Sequence, residues 1–252
     1  MDLIESKQAS ATPTRHPWEI ARKNIALRFL KKLAPFRCVV DIGSGDAYIS
    51  GAIATAYPNA FVYAVDINYS EEIKQALKAE HAQNLFLAND IASVDHNNWS
   101  KWEVILLMDV LEHIQNPNVF LQELMAHPSV NAHSTFFITV PAHQALFNEH
   151  DRMLKHFKRY SRRELVAFLK QNNMMVSQSG YLFQSLLPVR VFEMLTGKNH
   201  SSGHLASWKG NRWPTAFIVL LFKIEFITSY FLSRLNIHLP GLSCYCLCRP
   251  LP

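Results

Sequence analysis

Apolar positions along this chain change period several times, and each change predicts an element. Ala21, Ile25, Phe29 and Leu33 recur every four residues behind Pro17, which predicts an amphipathic helix ending near Pro35. Short apolar blocks then alternate with helix-like segments. Cys38 to Ile42 reads as a buried strand, followed by a glycine-containing turn and an Ala-rich helix up to Tyr57. Phe61 to Val65 is a second strand, and Ser70 is placed to cap a helix carrying Ile73, Ala76 and Leu77. Leu85 to Ala88, Val104 to Met108 and Phe136 to Val140 supply strands three to five. Ser161-Arg162-Arg163-Glu164 has the form of a capping box that opens a helix through Leu165, Phe168 and Leu169. Met175 to Gln178 and Ser243 to Cys248 are two further strands, separated by a long stretch rich in Phe, Leu and Ile. Strands spaced by helices imply βαβ units, hence a doubly wound α/β domain with a mostly parallel sheet covered on both faces.

Composition narrows this picture. With 252 residues, 49% of them hydrophobic, the chain can bury a sizeable core. Residues 1–14, polar and small, read as a flexible tail, and residues 15–252 as a single domain with an insert over 182–240. The tail lacks the apolar stretch of a signal peptide, so a cytoplasmic protein is expected. Cys244, Cys246 and Cys248 alternate, as buried reduced thiols on one strand face do. No C-x-x-C pair occurs, and no metal is expected. A formal charge of +5 favours anionic partners without choosing among nucleic acid, carrier protein and lipid.

The candidate chemistry begins at Asp41-Ile42-Gly43-Ser44-Gly45-Asp46-Ala47. In a doubly wound sheet, ligands bind outside the carboxyl ends of the strands, and Gly43 and Gly45 let the backbone bend there and approach a ligand. Tyr48 occupies the third glycine position of a dinucleotide fingerprint, which argues against a pyrophosphate ligand. About 20 residues on, Asp66 ends the second strand, where a carboxylate accepts ribose hydroxyls or, alternatively, caps the next helix. Asn89-Asp90 follows the third strand, placed for an adenine edge or a plain turn. Met108-Asp109 ends the fourth.

These segments, together with Asp109-Val110-Leu111-Glu112-His113-Ile114, resemble the successive motifs of class I S-adenosylmethionine-dependent methyltransferases, over about residues 15 to 180 and again at the last strand. The resemblance implies a seven-stranded Rossmann-like sheet with a hydrophobic helical insert before the last strand. It implies S-adenosyl-L-methionine as cofactor. Asp41, Gly43 and Gly45 would hold its methionine portion, Asp66 with Ile67 the ribose side, Asn89 and Asp90 the adenine, and Met108 the wall near the sulfonium. Ala47 departs from the family's frequent third glycine, and is expected to be a mild change. A base is needed only where the acceptor must lose a proton. Six of the 12 histidines lie between His113 and His156, and His143 and His113 are the candidates.

The stretch Val140-Pro141-Ala142 through His150-Asp151-Arg152 to His156-Phe157-Lys158-Arg159-Tyr160-Ser161 is similar to a bacterial small-molecule or lipid-type subgroup. Lys155 and Lys158 stand where glycine and arginine are usual there. The basic residues from Arg152 to Arg163 could meet a phosphate, a carboxylate or an anionic membrane, or form a solvated face. Between Pro214 and Leu235 the apolar run is broken by Lys223 and Glu225. A pocket cap, a dimer contact and an interfacial helix remain open, with Trp208, Lys209, Arg212 and Trp213 suited to a pocket mouth or a headgroup layer. The sheet is expected to survive removal of this segment.

The function expected is methylation, more often on oxygen, of a hydrophobic small molecule. A phenolic or quinone precursor, an aromatic polyene or polyketide-like chain, carrier-bound or free, and a lipid all fit. A non-catalytic docking module and an NAD-dependent oxidoreductase on a similar sheet are the alternatives. Nucleic acid is disfavoured, since no N-P-P-Y/F tetrapeptide follows the fourth strand.

Overall fold

The computed structural model describes residues 15–94, 101–196 and 211–252. The expected tail, with Trp208 and Lys209 of the insert, lies outside the described residues. In chain order the elements are α1 (Pro17–Leu33), β1 (Cys38–Ile42), α2 (Tyr48–Ala56), β2 (Phe61–Val65), α3 (Glu71–Glu80) and β3 (Leu85–Ala88). There follow β4 (Val104–Met108), α4 (Pro117–Met125), β5 (Thr135–Pro141), α5 (Glu149–Met153) and α6 (Arg162–Gln171). β6 (Met174–Leu182), α7 (Leu186–Leu195), α8 (Arg212–Arg234) and β7 (Ser243–Pro250) complete the described chain.

The seven strands form one sheet in the order β3-β2-β1-β4-β5-β7-β6. β1 to β5 pair in parallel, and β7 runs antiparallel between β5 and β6. This is the doubly wound, mostly parallel sheet expected. Its two faces follow from the period-2 alternation of each strand. Cys38, Val40 and Ile42 of β1, Ile105 and Leu107 of β4, and Cys244, Cys246 and Cys248 of β7 point into the core beneath α4 and α6. Val39, Leu106, Tyr245 and Leu247 point the other way, into the core beneath α1, α2 and α8. All four cysteines are free and buried, as the spacing predicts.

Three strands differ in their bounds from expectation, β5 running one residue further at each end and β7 two residues further at its carboxyl end. β6 continues to Leu182, past a bulge between Val176 and Gln178. As an edge strand it tolerates polar side chains, so its apolar alternation is weak. α7 has no buried residue and carries Val189, Phe192 and Leu195 exposed, a pattern without an inward stripe to detect.

α8 buries Phe222 and Phe226 in the sheet core, at Phe183 and Tyr245. It runs antiparallel to β6. Glu225 Oε1 accepts from Ser185 N, Ser229 Oγ donates to Tyr181 O, and Gln178 Nε2 donates to Tyr230 O. The part from Arg212 to Leu221 therefore stands beyond the carboxyl end of the sheet, about 15 Å of helix. Its outward side chains, Trp213 (86% exposed) and Phe217 (69%), meet solvent. Because Phe222 and Phe226 are core residues, deleting this helix would uncover the sheet, contrary to the expectation that the sheet survives without it.

Candidate active site

The turn after β1 is held from β2. Gly43 N and Ser44 N both donate to Val65 O, at 2.8 and 3.1 Å, and Gly45 N donates to Asp66 Oδ2 at 2.9 Å. Gly43 stands at φ +71°, and a Cβ there would lie 2.6 Å from Val110 Cγ2, so both conformation and space require glycine. Ala47 is fully buried at φ 56° and is the residue before α2. An L-residue in that region costs about 1–2 kcal/mol, so the alanine is a less mild departure than expected.

Asp41 is buried and accepts from Ser50 Oγ at 2.5 Å. Burial pushes its carboxyl up to about 6, against the pull of that hydrogen bond. Facing it, α1 contributes Glu19 and Arg22, neither of which the sequence pattern singles out. A cavity lined by Asp41, Gly43, Ser44, Tyr48, Ile49 and Met108 is closed on this side by those two residues. Arg22 Nη2 donates to Met108 O at 2.8 Å and pairs with Asp109 Oδ2 at 3.0 Å, while its buried Nε lacks a partner. Asp109, at φ 59°, also accepts from Thr139 Oγ1 at 3.0 Å. Burial raises Glu19 too, with Arg15 pulling it back. The donor set suits an amino acid: carboxyl groups for an ammonium and an orphaned guanidinium N–H for a carboxylate.

The remaining expected cofactor residues line the β2 and β3 ends. Asp66 Oδ1 accepts from Asn68 N, and Oδ2 holds the glycine turn, so this carboxylate organises the loop. Ile67 beside it is 84% exposed, an unusual setting for an isoleucine. The Asn89 amide donates to Tyr69 O, and Asp90 Oδ1 accepts from Ser93 N at 2.6 Å, closing a turn.

His143 follows β5 at φ 65° and ψ 99°, outside the regions non-glycine residues favour. Its ring stacks on Tyr181 with centroids 5.5 Å apart, and Nε2 lies 3.1 Å from Gly241 O. A carbonyl only accepts, so Nε2 carries the proton and Nδ1 the lone pair. His113 lies elsewhere, in the short helical turn Leu111–His113, edge-on to His156 at 4.5 Å between centroids. The two candidate histidines thus have different partners, His143 meeting Tyr181 and Gly241 and His113 meeting His156. His156 Nδ1 lies 2.9 Å from Asp151 Oδ1, and Arg159 Nε grips the same buried carboxylate at 2.9 and 3.0 Å. Burial raises Asp151, but the His156 hydrogen bond and the Arg159 charge outweigh it and hold the carboxyl at about 2. Of the basic stretch, Arg159 is thereby a buried structural cation and not part of an open face.

A family model of methyltransferase domains matches residues 16–178. No curated protein matches the chain. Coclaurine N-methyltransferase, solved with N-methylheliamine and SAH, has a TM-score of 0.56 at 15% identity, over 92% of this chain and 73% of that one. Phosphoethanolamine N-methyltransferase 2 of Haemonchus contortus, solved with S-adenosyl-L-methionine, gives 0.53 at 12% identity over 91% of this chain and 53% of its own. The plantazolicin methyltransferase BpumL, in complex with SAH, gives 0.51 at 13% identity over 92% and 82%. At such identities the likeness is one of fold, whereas the family match spans the glycine turn, all five parallel strands and the Asp151–Arg159 pair. The chain belongs to the methyltransferase-domain family, of the class I S-adenosylmethionine-dependent type.

Proposed function

We propose that this protein methylates a hydrophobic small molecule on oxygen, at the rim where β5 ends and α8 overhangs the sheet. One observation carries the reading of the acceptor. α7 and the overhanging part of α8 expose Val189, Phe192, Leu195, Trp213 and Phe217 at the carboxyl end of the sheet, and α7 lines a cavity there with Leu146, Phe147, Asn148 and Arg152. Apolar walls beside a few fixed polar groups favour a greasy acceptor such as a phenol, a quinone precursor, a polyene or polyketide-like chain, or a lipid.

When bound, S-adenosylmethionine supplies a methyl group on a positively charged sulfur. Asp41 and Glu19 would hold its ammonium, Arg22 its carboxylate, and Asp66, Ile67, Asn89 and Asp90 its nucleoside. Met108, which lines the cavity, would form the wall beside the reacting end. His143 receives the acceptor's proton on Nδ1, and the Gly241 carbonyl holds the ring in the tautomer that leaves this nitrogen basic. The same exposed face supports a second reading, in which a cytoplasmic protein rests peripherally on the inner membrane. Trp213 and Arg212 suit the headgroup layer, and the greasy acceptor would be drawn from the bilayer.

Calorimetric titration with S-adenosylmethionine, S-adenosylhomocysteine and NAD tests the cofactor. Binding of the first two without NAD is expected, and NAD binding alone would sink the reading. Transfer of labelled methyl to phenolic and lipid acceptors then tests the substrate class. His143→Ala should lower kcat by about 10²-fold or more on hydroxyl acceptors while cofactor affinity holds. Equal rates in variant and wild type would remove His143 from the chemistry.

A further inference from the structure

Glu112, one residue before His113, is 1% exposed, and neither of its carboxylate oxygens has a hydrogen-bond partner. An uncompensated buried carboxylate is costly, and native folds rarely leave one so. Two imidazoles stand against it. Each of Glu112, His113 and His156 offers a ligand atom, and these atoms lie within 4.8 Å of one another. The three come from two places in the chain, the turn after β4 and the segment between α5 and α6. That segment is fastened to the turn by Phe157 N donating to Glu112 O at 2.7 Å.

The hydrogen bonding of His156 is that of a metal ligand. Asp151 accepts at 2.9 Å from His156 Nδ1, which leaves the lone pair on Nε2. A carboxylate behind a ligating histidine fixes its tautomer and raises its basicity, an arrangement common around zinc. Arg159 and the α5 capping box, in which Asp151 Oδ2 accepts from Asn148 N at 2.9 Å, hold that carboxylate in turn. Nothing in the acceptor chemistry above employs this cluster.

We propose that Glu112, His113 and His156 form a binding site for one zinc-type divalent cation, with Asp151 as the orienting carboxylate behind His156. Two nitrogens and a carboxylate suit a borderline transition metal and disfavour magnesium, which takes oxygen ligands. Tetrahedral zinc with bonds of about 2.0–2.1 Å separates its ligands by about 3.3 Å, so the three side chains draw inward by about 1 Å on binding. Three protein ligands leave a fourth position for water or an oxygen of a bound molecule. Although the sequence reading expects no metal, the site needs no cysteine and leaves no spacing signature, because 42 residues separate its second and third ligands.

The test titrates zinc chloride, and separately magnesium chloride, into the chelator-treated protein by calorimetry. One equivalent of zinc should bind at micromolar affinity or better, without magnesium competing. Glu112→Gln and His156→Ala should each weaken it by about tenfold or more, and His133→Ala, at an exposed histidine outside the cluster, should leave it unchanged. No zinc uptake by the wild type, or equal affinity in both cluster variants, would overturn the site. Should either variant fail to fold, ring-nitrogen NMR of the wild type decides. Zinc-dependent shifts of the His113 and His156 rings support the site, and unmoved rings refute it.

Discussion

At the scale of single residues, charge placement at the glycine turn makes the sharpest predictions. A carboxyl held near 6 in the fold and about 4 in the unfolded chain is a stability cost above pH 6, relieved as pH falls toward 4. An ammonium-bearing cofactor shifts that preference toward the ionised form. Its affinity should therefore fall as pH drops from about 7 to 5, and Asp41→Asn should flatten that dependence. Calorimetry across this range measures it. Asp66→Ala should weaken cofactor binding by about 1.5–3 kcal/mol, since it removes charge-assisted hydrogen bonds to a ribose. An unchanged Kd would return Asp66 to a purely structural role in holding Gly45 and Asn68. Asp41, Gly43, Gly45 and Asp66 are legible in the sequence because a strand end followed by a turn fixes their place locally. Arg22 and Glu19 are not. Arg22 bonds Met108, 86 positions away, and no local pattern distinguishes it from the other cations of α1.

At the scale of elements, α8 has two faces with opposite consequences. Phe226→Ala empties a buried ring site against Tyr245 and should cost about 3–5 kcal/mol in urea unfolding. Phe217→Asp, on the exposed side, should leave stability within about 0.5 kcal/mol and abolish flotation with anionic liposomes. Retained flotation would move the membrane contact to the basic residues between Arg152 and Arg163. Strands β1 to β4 are read to the residue, because continuous apolar runs bounded by turn residues admit one register. α4, α5 and α7 escape that reading. α5 spans only five residues, and its capping box depends on Asn148 and Asp151 rather than on an apolar stripe.

At the scale of the whole molecule, ligand binding and folding are linked. At a hundred times its Kd, S-adenosylhomocysteine should stabilise the folded state by about 2.7 kcal/mol, seen as a raised melting temperature, while NAD should leave the melt unmoved. A shift with NAD and none with adenosylhomocysteine would contradict the family's chemistry in this chain. The overall topology is legible because alternating strand and helix periods leave few ways to wind a parallel sheet. The place of β7 between β5 and β6 rests on long-range pairing that has no local trace in the sequence.

That placement also orders events during synthesis. β6 leaves the ribosome about 60 residues before β7, yet among the described residues its only sheet neighbour is β7. β5 likewise presents an open edge until β7 arrives to pair with it from Phe136 to Pro141. Throughout that interval the nascent chain displays two unpaired strand edges together with the apolar side chains of α7 and α8. The protein should therefore depend on chaperone shielding late in translation, and slowed elongation between β6 and β7 should divert more of it into aggregates.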